Sequence, residues 1–457
     1  MALDRIVADK RRAVAARKRS LEMPPPSDRS LEHALRRSRT GFIFECKKAS
    51  PSKGLLRPDY DPVRIARSYE AFADAVSVLT DEPYFQGSLD DLRRVRESIA
   101  LPVLCKDFVV DPYQLYEARA AGADAVLLMC SVLAQDELVA CMRVAESLAL
   151  DCLVEVHDED ELERARDAGA RIIGINNRNL RTLEVDLGVS ARLAARVPDG
   201  VVRVCESGIA HHRDVRALRD RFDAFLVGTT LMQAGDIEEA MRALVFGRVK
   251  ICGLTRVEHA LAARASGATH GGLMLWPGSK RFVDRGSAEA LRQVDLRWVG
   301  VFVDQPEDEV ARAAQELALD AVQLHGAEDR AYVTRLRERV SCDVWKAQRV
   351  ASVLPGAADF GADRLLFDAH VSGVAGGSGQ RFDWTLLDGY AERGELILSG
   401  GITPDNAAEA DALDCWALDL SSGVERSSSE RPSERPSERP GEKDARALAM
   451  LFETLRG

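Results

Sequence analysis

No two of the nine cysteines form a CxxC pair, and none falls in a Cys/His spacing that would hold zinc. A disulfide framework and a structural metal are therefore not expected, and a reducing cytoplasm is the simplest setting. No apolar run approaches the roughly 18 residues of a membrane span, so no transmembrane helix and no membrane partner are expected. The basic start, Met1–Arg19, lacks the apolar core of a signal peptide. Its apolar positions (Leu3, Ile6, Val7, Val14) read as an amphipathic helix. An excess of positive charge is also missing. There are 62 Lys+Arg against 73 Asp+Glu, a net charge of −11, which argues against a nucleic-acid binder.

The 457 residues are 46% hydrophobic and 30% charged, enough for two or three globular domains. Short apolar strands alternate with helical segments along the chain. The first eight are expected at Phe42–Lys47, Ala75–Thr80, Pro102–Phe108, Ala125–Cys130, Cys152–His157, Ile172–Asn176, Val201–Gly208 and Ala224–Thr229. The count then restarts at Val249–Thr255, Gly271–Leu275, Trp298–Val303, Ala321–Gly326, Asp343–Gln348, Arg364–Ala369, Leu396–Gly401 and Cys415–Gly423. Helical stretches such as DPYQLYEARAAGA and DEDELERARDAGA open near Asp and close at Gly. Eight such units in about 200–250 residues predict a (β/α)8 TIM barrel, and two sets predict an α/β chain of two barrels in series. An open doubly wound sheet is the competitor. It would stop at five or six strands and carry a GxGxxG after the first, which is absent. The expected domains are 1–247 and 248–457. Within the second, 427–442 (SSSERPSERPSERPGE) has no apolar residue except proline and reads as a disordered insert.

In this fold reactive groups come from the C-terminal ends of the strands. In the first barrel Glu45 and Lys47 lie two apart, so they share a face. Lys106, Glu155, Asn176 (with Arg178 just after) and Glu206 end later strands. One such charge alone reads as a solvated strand end, but five strands contributing together point to a cavity with a task. Cys46, Cys105 and Cys205 are out of phase and read as core thiols. Ser207, Gly208, Gly228 and Thr229 end strands seven and eight, the usual phosphate cradle. Ser50, in the loop Lys48–Gly54, sits where a loop could close over a ligand. In the second barrel Cys252 and Asp368 end strands one and six, an available thiol and carboxyl pair for acid–base work. His325 ends strand four, and Gly377, Gly379, Gly400, Gly401, Ser422 and Gly423 mark a second cradle. No metal pattern appears and no lysine demands a Schiff base, although an aldolase using Lys47 or Lys106 is a rival reading.

The motifs FIFECKKASPSKG (Phe42–Gly54), LTDEPYFQGS (Leu79–Ser88), VLCKDF (Val103–Phe108), IGINNRNL (Ile173–Leu180), ESGI (Glu206–Ile209) and LVGTTLM (Leu226–Met232) resemble indole-3-glycerol phosphate synthase. KICGLTR (Lys250–Arg256), QLHG (Gln323–Gly326), GGSGQRFDW (Gly376–Trp384), LSGGI (Leu398–Ile402) and DLSSGVE (Asp419–Glu425) resemble phosphoribosylanthranilate isomerase. The order of the two resembles the fused bifunctional family of bacterial tryptophan biosynthesis. The resemblance implies that Cys252 is the base and Asp368 the acid of an Amadori rearrangement, with Arg281 near the anthranilate carboxylate and His325 among the substrate groups. It implies that Lys106 is the acid in indole closure and Glu155 the base or cation-stabilising carboxylate, with Lys47, held by Glu45, assisting dehydration. Arg178 would meet the anthranilate carboxylate, Asn176 and Glu206 would bind intermediates, and Phe85 and Phe108 would line the ring pocket. Small phosphorylated substrates, no cofactor and a monomer are expected.

Overall fold

The computed structural model describes residues 2–18, 23–37, 39–180, 182–355, 359–369, 379–426 and 440–457. The chain divides into two compact units, Met1–Met241 and Arg242–Gly457. The division falls inside the helix Ile237–Phe246, upstream of the expected 247/248 boundary. The reason is local: the last turn of that helix belongs to the second core, where the Phe246 ring meets Phe452 edge-on at 5.2 Å.

The first unit is a closed barrel of eight parallel strands: β1 (Gly41–Cys46), β2 (Ala75–Leu79), β3 (Val103–Lys106), β4 (Ala125–Met129), β5 (Asp151–Val156), β6 (Ile172–Asn176), β7 (Val202–Glu206) and β8 (Ala224–Val227). Each strand pairs with the next, and β8 returns to β1 with Gly41 opposite Ala224. Alternation along each strand decides what faces inward. Ile43, Leu104, Leu153, Ile172, Val204 and Leu226 form part of the buried interior cluster. One pleat later the same face presents Glu45, Lys106, Glu155, Gly174, Glu206 and Gly228. Below the strands the helix Leu31–Arg37 inserts Leu35 and Leu31, both fully buried. Burial of each leucine contributes about 1.5–3 kcal/mol. The helix Ala2–Arg17 forms as its spacing predicts, with Ile6 and Val14 buried.

The second unit repeats the closure with β9 (Val249–Cys252), β10 (His270–Met274), β11 (Arg297–Phe302), β12 (Ala321–Leu324), β13 (Asp343–Val350), β14 (Arg364–Ala369), β15 (Ile397–Ser399) and β16 (Ala417–Leu420). Its interior floor holds Val299, Trp345, Leu366 and Ile397. His270 packs there against Trp345 (tilted by 54°) and edge-on against Trp416, and burial drives its imidazole down to about 3. The helical half of the repeat is incomplete among the described residues. Among the described residues no helix appears between Val350 and Arg364, and the segment after β14 holds the 3-10 turns Trp384–Leu387 and Arg393–Glu395 in place of an α-helix.

The expected insert needs one correction. Residues 427–439 lie outside the described residues, but Pro440 and Gly441 form a turn and Glu442 is placed after it. Two backbone bonds, Arg426 N to Glu442 O (3.0 Å) and Asp444 N to Val424 O (2.9 Å), bring the two flanks side by side.

Candidate active sites

In the first barrel the polar layer above the apolar interior lines a cavity of about 760 Å³. Its walls include Glu45, Lys47, Lys106, Glu155, Asn176, Arg178, Glu206, Phe85 and Phe108. The Lys106 ammonium donates to Glu206 Oε2 at 3.0 Å and to Glu155 Oε2 at 3.2 Å. Lys47 pairs with Glu45 Oε1 at 2.8 Å, as their shared face requires. Asn176 stands opposite Glu206 in the β6–β7 ladder, and its Oδ1 accepts from the Arg178 amide at 2.9 Å. Arg178 donates back to Leu183 O at 3.0 Å, which curls the loop after β6 over the cavity rim. The Phe85 and Phe108 rings lie 6.1 Å apart, tilted by 43°.

Two glycines make this layer possible. A Cβ on Gly174 would lie 2.0 Å from Glu206 Oε1, and one on Gly228 would lie 2.4 Å from Glu45 Oε1. The carboxylates occupy the volume those side chains would need.

Charges within the layer are unequal. Burial works against the Lys106 ammonium, but Glu206 and Glu155 outweigh it, so the group titrates above the ordinary lysine range. Burial would also raise Glu155, yet Lys106 and His157 outweigh it and hold that carboxyl below its ordinary value. Glu206 goes the other way. Burial, reinforced by the nearby Glu155 charge, pushes it up to about 7 against the pull of Lys106. Of two carboxylates on one lysine, one is kept ionised and the other accepts a proton near neutrality.

The expected cradle residues Ser207, Gly208, Gly228 and Thr229 all line the cavity. Ser207 and Gly208 both take positive φ (64° and 90°), a sharp turn that aims the backbone toward the cavity mouth. Ser50 is not among the lining residues. Its hydroxyl accepts from Lys53 N at 3.3 Å, within a hairpin formed by Ala49–Ser50 and Gly54–Leu55. Lys53 itself lines the cavity and donates to Gln233 at 3.0 Å. No periodic signal marks Lys53, because its position depends on the hairpin. The three out-of-phase thiols are buried outside this layer, and burial raises all of them, Cys105 to about 12 and Cys205 to about 11.

Sequence reasoning missed Lys10. From the N-terminal helix it reaches Asp81 and Asp107 at 2.6 Å each and ties the helix to the turn after Lys106. Nothing local separates it from the exposed lysines and arginines of the same helix.

In the second barrel, β9 points Lys250 and Cys252 inward. Lys250, fully buried, pairs with Asp419 at 2.8 Å, and Ser399 donates to the other oxygen of that carboxylate at 3.3 Å. A Cβ on Gly272 would lie 2.8 Å from Cys252 Sγ and 3.1 Å from Lys250 Cε, so the thiol and the lysine stem share one niche. Burial pushes the Cys252 thiol up, and the Lys250 ammonium opposes that rise. Asp368 accepts from Ala369 N at 2.9 Å and faces His325 Nε2 at 3.3 Å. The other ring nitrogen of His325 meets the Gln323 amide at 3.0 Å.

Arg281 departs from the simple expectation of a waiting carboxylate ligand. Its guanidinium makes a fork on Glu425, with both bonds at 2.7 Å. Glu425 also accepts from Lys443 at 2.9 Å and Gly441 N at 2.8 Å. Burial alone would raise Glu425, but Arg281 and Lys443 pull it down to about 2. Gly377 lies outside the described residues. The other expected cradle positions do converge. A Cβ on Gly379 would meet Ser422 Oγ at 3.4 Å, on Gly401 the Arg381 amide at 2.6 Å, on Gly400 Asp368 Oδ1 at 2.8 Å, and on Gly423 Ile402 O at 2.0 Å. Among the described residues no His/Cys/Asp/Glu group is placed to hold a metal ion.

A family model described as indole-3-glycerol phosphate synthase matches residues 3–244. A second, described as N-(5'-phosphoribosyl)anthranilate isomerase, matches residues 249–430. The tryptophan biosynthesis protein TrpCF of Salmonella typhi is 45% identical over 463 residues, covering 99% of each chain. The protein of the same name from Vibrio parahaemolyticus is 47% identical over 442 residues, covering 94% of this chain and 91% of that one. Among solved structures, the phosphoribosyl anthranilate isomerase of Thermus thermophilus is 38% identical, covers 46% of this chain and 98% of its own, and superposes with a TM-score of 0.40.

Proposed function

The chain belongs to the family of fused indole-3-glycerol phosphate synthase and phosphoribosylanthranilate isomerase enzymes, and from that premise we propose how its own residues carry the two reactions. The chain performs two consecutive steps of tryptophan biosynthesis. The C-terminal barrel isomerises N-(5'-phosphoribosyl)anthranilate to 1-(o-carboxyphenylamino)-1-deoxyribulose 5-phosphate, and the N-terminal barrel closes that ketose to indole-3-glycerol phosphate.

In the isomerase Asp368 protonates the furanose oxygen as the C1'–O bond breaks, leaving an iminium. The Cys252 thiolate then takes the C2' proton, giving an enolamine that relaxes to the ketone. The His325–Asp368 contact of 3.3 Å orients the acid. Arg281, fixed by Glu425 through Nε and Nη2, keeps Nη1 for the anthranilate carboxylate.

In the synthase the aromatic carbon attacks the ketone, and the charge developing on its oxygen is met by the Lys106 ammonium. CO2 then leaves the ring carbon and restores the electron pair. Loss of the hydroxyl as water, assisted by Lys47, completes the indole. Glu155, held ionised, is the base and the partner of positive charge on the ring nitrogen. Glu206 and Asn176 hold intermediates, Arg178 holds the carboxylate, and Phe85 and Phe108 flank the ring. The glycines and hydroxyls after the last strands of each barrel take the phosphates. Ser50 remains a candidate only if the hairpin rearranges around the ligand. Nine cysteines, none in a disulfide among the described residues, favour a reducing, cytoplasmic setting. A monomer remains our expectation, since the fusion already joins both activities.

One observation carries the synthase assignment: a single lysine bonded to two carboxylates of opposite pKa displacement in the cavity at the strand ends. The test supplies phosphoribosylanthranilate to the purified chain, follows anthranilate fluorescence and identifies the product by mass. Indole-3-glycerol phosphate with CO2 is expected. A stall at the ketose would overturn the assignment of Lys106, Glu155 and Lys47, and no consumption would overturn that of Cys252 and Asp368.

A further inference from the structure

His157 follows Glu155 by two residues, so it faces the same side at the top of β5. It does not line the cavity, yet it is only 15% exposed. Its Nδ1 lies 3.0 Å from Glu161 Oε2, and its backbone N–H donates to the same oxygen at 2.9 Å. A carboxylate only accepts, so Nδ1 carries a proton. Its Nε2 faces Glu155 Oε1 at 3.4 Å. Among the described residues neither of these two buried atoms has a hydrogen-bond partner. A neutral ring would set a lone pair against a carboxylate oxygen, whereas a proton on Nε2 satisfies both atoms.

We propose that His157 is a positioning residue of the synthase, an imidazolium clamped between Glu161 and Glu155 that holds Glu155 ionised and aimed into the cavity. This rests on the assignment of Glu155 as the base. The surrounding charges agree. Lys106 from β3, Asn176 from β6 and Glu206 from β7 act on Glu155 from the cavity side. Asp158, Arg164 and the Cys130 thiol stand around the Glu161 end. Burial opposes the imidazolium, but Glu161 and Glu155 outweigh it and raise it above the ordinary histidine value. The arrangement contributes to the difference between the two carboxylates on Lys106: His157 lies against Glu155 at 3.4 Å, and Asn176 also favours the ionised form of Glu155.

The test is the pH profile of synthase turnover, with the ketose supplied directly, in wild type and His157→Gln. Glutamine keeps a donor and loses the charge. The acid limb should move up by about one pH unit, a tenfold loss below it, with the alkaline plateau held within about twofold. Isomerase turnover in the same chain should not change, which reports folding. An unmoved limb, or an equal drop at every pH, would overturn the proposal. Should that variant fail to fold, Glu161→Gln should shift the limb in the same direction. The histidine resonances of the wild-type chain should contain one that titrates above about 6.5 and falls in Glu161→Gln. Failure of the reading beneath the proposal looks different: Glu155→Gln would then retain full turnover.

Discussion

Arg281 and Glu425 share two hydrogen bonds of 2.7 Å, and Lys443 donates to the same Glu425 Oε1 that accepts from Arg281 Nε, so Glu425 and Lys443, on the two flanks of 427–439, are joined through one carboxylate. The clamp makes the base of the insert independent of its length. Deleting Ser427–Arg439 should leave isomerase kcat/KM within about twofold, because loop length adds little closure cost once the ends are held. Glu425→Gln should instead raise KM about tenfold or more by freeing Arg281, in keeping with the 1.5–3 kcal/mol of a charged hydrogen bond. Steady-state kinetics on both variants distinguishes a passive insert from a functional one.

The two half-reactions should separate by mutation. Cys252→Ala should lower isomerase turnover by about 10²–10⁴ and leave ketose closure intact, and Lys106→Ala should do the reverse. Assays with each substrate decide this. Loss of both activities in either variant would contradict two independent sites.

Gly174→Ala tests the clearance beneath Glu206. The added methyl would fall 2.0 Å from Glu206 Oε1, so the carboxylate must move and Lys106 loses a partner. A displacement near 1 Å predicts about a hundredfold loss of synthase kcat/KM. Wild-type kinetics in Gly174→Ala would show that Glu206 is not held where the site needs it.

Stability should carry the signature of Glu206. Its folded-state pKa, about 7, lies above the ordinary 4.5. The proton is therefore bound more tightly in the folded chain, and the stabilisation is full below pH 4.5 and fades as pH rises through 7. Glu155, displaced downward, and Lys106, displaced upward, have their own losses outside that window. Melting of wild type between pH 5 and 8 should fall more steeply than that of Glu206→Gln. Parallel curves would refute the displacement.

Lys250 and Asp419 form a buried pair at 2.8 Å in the second barrel. Lys250→Met leaves Asp419 charged in the interior and should cost the second unit about 3–5 kcal/mol. Adding Asp419→Leu should recover most of that. Denaturant unfolding monitored on the isomerase unit tests both steps.

The barrels were legible because two periods of the chain suffice to write them. Short apolar runs between helical segments mark the strands, and the two-residue repeat of a strand then puts Glu45, Lys106, Glu155, Glu206, Cys252 and Asp368 at strand ends on the inner face. What remained hidden depends on contacts distant along the chain or on the absence of a side chain. Lys10 meets Asp107 across 97 positions and Arg281 meets Glu425 across 144, and neither pairing leaves a local pattern. His157 stands in plain view two residues after Glu155, but its role arises only when the following helix swings Glu161 behind it. Gly174 and Gly228 look like ordinary strand glycines until the neighbouring carboxylates fill their space. Local sequence determines which face a residue joins, because strand geometry has a fixed repeat. Closure of each barrel decides which charges become neighbours, and burial then makes those neighbours differ in pKa.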